Sequence, residues 1–174
     1  GHNYHLDWRN LLGVCHGGSQ KDVPDADWRF SENKGDRSCD VPKGGKEITD
    51  RILNPLKLPG NIRLFRYTEY NGRMYVDEET CPDELKWKAK NTIKELNLNA
   101  PRLMRMRKAV IDKLTDELML ALAEGQGFDE TLEWLAESFL LPDHKNRSIP
   151  FFTVIRWYLG EAAEKLIANS GTKL

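Results

Sequence analysis

Two cysteines, Cys15 and Cys39, stand 24 residues apart, and the second runs directly into Asp40 and then Lys43-Gly44-Gly45. Thiolates are favoured zinc ligands, so two of them drawn together across a loop make half of a tetrahedral site. A carboxylate beside them is a hard oxygen donor, suited to Mg²⁺ rather than zinc. A lysine followed by two glycines reaches a phosphate without steric obstruction. The same cysteines also suit small buried apolar positions, because an unmetallated thiol packs as a small hydrophobe. Residue types alone leave both readings open.

A second candidate is the run Arg102, Arg105, Arg107 and Lys108, four basic groups in seven residues with no acid among them. Arg102 with Arg105, and Arg105 with Lys108, are three apart and share a face on a helix. Such a row tracks phosphates and releases their counterions, which makes Arg102, Arg105 and Lys108 candidate nucleic-acid contacts. It equally describes the solvated side of a helix whose Leu103, Met106 and Val110 face inward. His16 follows Cys15 and is a spare ligand type, though an exposed loop histidine is the plainer reading. His144 reads as solvent-facing, and Cys81, just ahead of Pro82, as a boundary filler.

The elements that must position these groups fall into two parts. Seven glycines and four prolines between Gly13 and Gly60 break any long helix and predict a loop-rich region over 1–60. Ser19–Ser38 is polar and reads as a long surface insertion. Alternation over Ile62–Tyr70, the turn signal Asn71-Gly72, and a return over Arg73–Val76 predict a β-hairpin. Helical spacing then predicts four helices. The first covers Asp83–Leu96 with Leu85, Ala89 and Ile93. The second opens after Asn97 and Asn99, which suit a break and a new N-cap, and carries the stripe Leu103, Met106, Val110, Leu114, Leu118 and Ala121. The third is capped by Asp129, and the last runs over about 150–169. The expected class is α+β, mostly α, with residues 61–174 forming the hairpin and a small helical bundle.

The composition is compatible with that. In 174 residues and 20.1 kDa, 40% are apolar and 30% charged, enough for a packed core. Three cysteines are too few for a disulfide scaffold and point to a reducing cytoplasm. No apolar run approaches the roughly 18 residues of a membrane span, and no signal-peptide core opens the chain. Net charge is 0 over 1–60, +4 over 61–115 and −5 over 116–174. That excludes a generic polycation, leaves the middle segment able to show a basic face, and suits the acidic end to a protein partner.

Three stretches in order carry a resemblance: Leu6-Asp7-Trp8-Arg9-Asn10-Leu11-Leu12-Gly13-Val14-Cys15, then Cys39-Asp40-Val41-Pro42-Lys43-Gly44, then Leu53-Asn54-Pro55-Leu56. The series resembles the second half of an HNH endonuclease, more narrowly the HNH nucleases of retrons and of Septu-type anti-phage systems. The hairpin, the run Thr92–Asn99, and Leu103 and Arg107 extend the likeness to about residues 6–110. The family's C-x-x-C pair and catalytic histidine lie upstream of the tryptophan and have no counterpart in these residues.

The resemblance implies a partial ββα-metal fold and a metal-dependent phosphodiesterase acting on nucleic acid, DNA in first place. Asp40 would bind Mg²⁺ or Mn²⁺, Asn10 would steady the active-site loop, and Lys43 would contact phosphate. Cys15 and Cys39 would be two of four structural Zn²⁺ ligands. The setting would be bacterial defence, beside an ATPase partner subunit. The alternative is a non-catalytic adaptor, or a nucleic-acid-binding module with a zinc-stapled loop.

Overall fold

The computed structural model describes residues 17–22, 30–58, 62–141 and 149–170. It is mostly helical with one small antiparallel sheet, the α+β class expected. A single helical turn, α1, spans Asp40–Lys43. Strands β1 (Phe65–Tyr67) and β2 (Met74–Val76) follow, then helices α2 (Asp83–Glu95), α3 (Pro101–Ala123), α4 (Phe128–Leu140) and α5 (Phe152–Ser170). None of the described helices is long and apolar enough to cross a membrane.

The hairpin pairs Phe65 with Val76, Arg66 with Tyr75, and Tyr67 with Met74. Its strands are shorter than the alternation suggested, because the connection is a six-residue loop rather than a two-residue turn. The Gly72 N–H donates to the Thr68 carbonyl at 2.9 Å, and the Asn71 side chain accepts from the Arg73 N–H at 3.0 Å. Gly72 has a φ of 68°, and a Cβ there would sit 2.3 Å from the Met104 carbonyl oxygen on α3. Only glycine fits that left-handed backbone pressed on a helix.

Proline opens two helices. Pro82 precedes α2, whose first turn holds Asp83 and Glu84 at the positive end of the helix dipole. Pro101 is the first residue of α3, where its missing N–H would have lacked a partner anyway. The expected side-chain caps are not used. Asn99 is drawn into the hairpin instead, and Asp129 lies inside the first turn of α4 behind a Gly127 cap.

Two apolar clusters flank a joint. Leu114 and Leu118 of α3, Leu135, Ala136 and Leu140 of α4, and Ile155, Leu159 and Ala163 of α5 form the larger. Leu53, Leu64, Val76, Cys81 and Ala89 join the hairpin to α2. Tyr67, Ile111 and Val154 bridge the two regions. The predicted stripe of α3 holds only in its second half. In the first half Arg102 and Arg107 are buried, while Leu103, Met106 and Val110 are half-exposed.

The last helix is also not continuous. Gly160 has φ 55° and ψ −123°, outside helical space, and it divides α5 in two. Arg156 grips Glu164 across that break with two hydrogen bonds of 2.8 and 2.6 Å. Eight residues span ~12 Å along a straight helix, so the pair depends on the bend.

Candidate functional site

The Cys39–Lys43 segment is held by backbone bonds at the far end of α2. The Cys39 N–H donates to the Leu96 carbonyl at 2.9 Å, and Cys39 takes a positive φ of 65° to do so. Next to it, Asn97 turns out of the helix with φ 45° and donates to the carbonyls of Gly35 and Arg37 at 2.7 and 2.8 Å. Ser38 receives the same treatment from the other side, its N–H reaching the Gly17 carbonyl at 3.0 Å. Leu53 is anchored too, its N–H donating to the Thr92 hydroxyl at 2.8 Å. The polar stretch over 30–39 is therefore stitched to the end of α2 rather than free-standing, and four of these bonds cross residue 60.

Beneath this segment sits Arg102. It is 4% exposed, donates through a terminal nitrogen to the hydroxyl of the fully buried Ser38, and keeps its Nε without a partner. The expected row of Arg102 with Arg105 on one solvent face is thus corrected. Arg102 is a buried support, because the loop over α3 closes on it. Arg105 remains exposed, and Lys108 is engaged by Asp112 one turn on.

Arg107 has a similar office at the hairpin. It donates to the Gly72 carbonyl at 2.8 Å and to the Leu98 carbonyl, and lies over the Tyr67 ring at 5.7 Å. Burial lowers its pKa from the usual guanidinium range, yet arginine stays charged. Asn99 completes the joint by pairing with both backbone groups of Met74, at 2.8 and 2.9 Å. Burial also pushes the Tyr67 hydroxyl up, against its bond to Thr153 and the Arg107 charge. Neither buried arginine was assigned a supporting part from sequence, since four clustered bases read as surface. The one cue was an adjoining apolar residue, Leu103 beside Arg102 and Met106 beside Arg107.

The remaining predicted residues divide plainly. Asn10, Cys15, His16 and His144 lie outside the described residues. Asp40 begins α1 and Lys43 ends it, half-buried and followed by Gly44 and Gly45. Cys39 is half-buried, with its sulfur 3.6 Å from the Ser38 hydroxyl oxygen. Among the described residues no three or more histidine, cysteine, aspartate or glutamate side chains converge as a metal site. Cys81 is buried in the hairpin cluster, and that burial pushes its thiol up, consistent with a packing position.

The chain is similar to a protein of Escherichia coli that carries the provisional name of HNH endonuclease of retron Ec83. The two are 31% identical, over 64% of this chain and 48% of that protein. The chain thus spans about half the length of the curated relative it matches. No family model and no solved structure matches it.

Proposed function

We propose that this chain is part of an HNH-type, metal-dependent endonuclease of a retron or Septu-like anti-phage system, cleaving nucleic acid, DNA in first place. The observation that carries the reading is the likeness to the retron Ec83 protein. The ordered series Trp8-Arg9-Asn10-Leu11-Leu12, Cys39-Asp40 and Lys43-Gly44 supports it.

The donors fit the implied groups by type. Asp40 offers the hard oxygen that Mg²⁺ or Mn²⁺ requires, and Cys15 and Cys39 offer the soft sulfur of a zinc site. A bound divalent ion would supply neutralisation of the charge developing on the scissile phosphate and leaving oxygen. Asp40 would hold that ion, Lys43 at the end of α1 would meet the phosphate, and Asn10 would steady the loop. The bonds from Cys39 to Leu96 and from Arg102 to Ser38 fix where α1 starts. Positioning of this kind matters because a small displacement of a catalytic group erodes rate steeply. An ATPase subunit is the proposed partner and the cytoplasm the proposed setting.

The test is cleavage of plasmid DNA and of RNA with Mg²⁺ or Mn²⁺, using the whole gene product and its Asp40→Ala variant. Cleavage should vanish in Asp40→Ala while the circular dichroism spectrum is unchanged. Undiminished cleavage by that variant refutes the assignment.

One feature favours a second reading, a non-catalytic adaptor. Met119, Leu120, Phe128 and Trp134 on α3 and α4 are each at least 50% exposed, the kind of apolar surface that meets a protein. That reading requires partner capture and no turnover with any divalent ion.

A further inference from the structure

The basic row expected on α3 is largely buried or paired, but another basic surface exists where no sequence run announced one. Alternation puts Arg73, the residue just ahead of β2, on the same face as Tyr75. The antiparallel register places Arg66 directly opposite Tyr75. Helix α2, whose Ala89 packs with Val76 on the strand's other face, reaches the groove with Lys90 and Lys94, one turn apart. Together they line a groove of about 460 Å³, within the ~300–1,000 Å³ of small-ligand sites.

Two features give the groove a chemistry. First, the guanidinium groups of Arg66 and Arg73 stand 5.8 and 5.7 Å from the centre of the Tyr75 ring, and that ring is 39% exposed. The three side chains form one assembly of flat π-surfaces, held extended by cation–π attraction. Second, the charge is unbalanced. Glu78 is the one carboxylate among the described lining residues, and Lys90 and Lys86 bind it at 3.2 and 3.5 Å. The Lys90 hydrogen bond first of all holds the Glu78 carboxyl below its usual range. Arg66, Arg73 and Lys94 have no carboxylate partner among the described residues.

We propose that this groove binds an unpaired stretch of single-stranded nucleic acid, a base stacking on the Tyr75–arginine assembly while Arg66, Arg73 and Lys94 take the flanking phosphates. An aromatic group interleaved with cations suits a splayed base and its backbone. A duplex keeps its bases stacked on each other and offers none to the ring. The groove is open to solvent, which lets a strand pass through. Asn97, which lines the groove, also bonds the carbonyl of Arg37 in the segment that leads into α1. The assignment deepens the nuclease reading and takes its class of ligand from it.

Binding is measured without divalent ions, in EDTA, by fluorescence anisotropy of a short labelled single strand. Tyr75→Ala should weaken binding about tenfold and Tyr75→Phe should not, since base stacking needs the ring and not the hydroxyl. Arg66→Glu with Arg73→Glu should weaken it further and reduce the salt slope by roughly 1.4, at ~0.7 for each of the two phosphate contacts. Lys165→Glu, on α5, should leave it unchanged. Binding insensitive to the Tyr75 and arginine changes overturns the assignment. So does equal competition by unlabelled duplex, by a free mononucleotide or by an acidic peptide. Binding that follows the groove variants in a chain that cleaves nothing overturns the nuclease reading alone, whereas cleavage with groove-insensitive binding overturns the groove alone.

Discussion

The two halves of α3 show two ways of burying one helix. From Ile111 to Ala121 its inner face is apolar and meets α4 and α5 side chain to side chain. From Arg102 to Arg107 its inner face is cationic and meets backbone carbonyls and a hydroxyl of loops. The difference follows from what lies opposite. Helices present side chains, because their backbone groups are already paired. Loops present unpaired carbonyls, which must find donors when buried. A guanidinium has five N–H donors in a fixed fork and satisfies several at once. The segment bearing Cys39, Asp40 and Lys43 is therefore positioned by directional polar bonds, and the bundle below by close packing.

That contrast makes separable predictions. Leu135 is fully buried among α3, α4 and α5, and Leu135→Ala should cost about 3–4 kcal/mol through the cavity it leaves. Chemical denaturation should show the loss, with hydrogen exchange accelerated throughout the bundle. Exchange rising only in the hairpin would break the proposed division.

Arg107→Met keeps length and apolar bulk but strands the carbonyls of Gly72 and Leu98, at roughly 2–3 kcal/mol. Exchange should rise first at Gly72 and Met74 and leave the Leu135 region slow. Uniform loss of protection would show that the joint and the bundle are one cooperative unit.

The smallest effect is pH-dependent. Burial alone would raise the Asp77 carboxyl, but hydrogen bonds from Arg63 and from the N–H groups of Glu79 and Thr80 outweigh it and hold it below the usual range. A depressed carboxyl stabilises the fold above its unfolded-state pKa of about 3.9, and that contribution fades as pH falls through the lower folded value. Thermal melts of the parent should fall on acidification below about pH 4, and Asp77→Asn should be less stable at neutral pH with a flatter acid limb. An acid limb unaltered by Asp77→Asn would remove Asp77 from the hairpin's polar support.

Legibility followed the same divide. The hairpin was readable because Asn71-Gly72 names a turn whatever surrounds it, although its loop is longer than the dipeptide suggests. The lines Leu85–Ala89–Ile93 and Leu114–Leu118–Ala121 were readable because helical period and burial agree there. Gly160 was not, since one glycine in a helical pattern signals a break no more strongly than tolerance. Arg102 and Arg107 were misread as surface because their partners lie 64 and 35 residues earlier in the chain, at Ser38 and Gly72.

The amino-acid sequence by itself determined the class, the order of elements and the series of residue types from Asn10 to Lys43 that could handle a metal and a phosphate. Local propensity and hydrophobic period act over a few residues and need no partner to be read. Only the tertiary structure decided which basic groups are supports and which are surface. That choice depends on what each helix face meets, and the groups it meets come from distant parts of the chain. Arg66, Arg73, Tyr75 and Lys94 became one groove for the same reason, through a strand register and a helix packed against it.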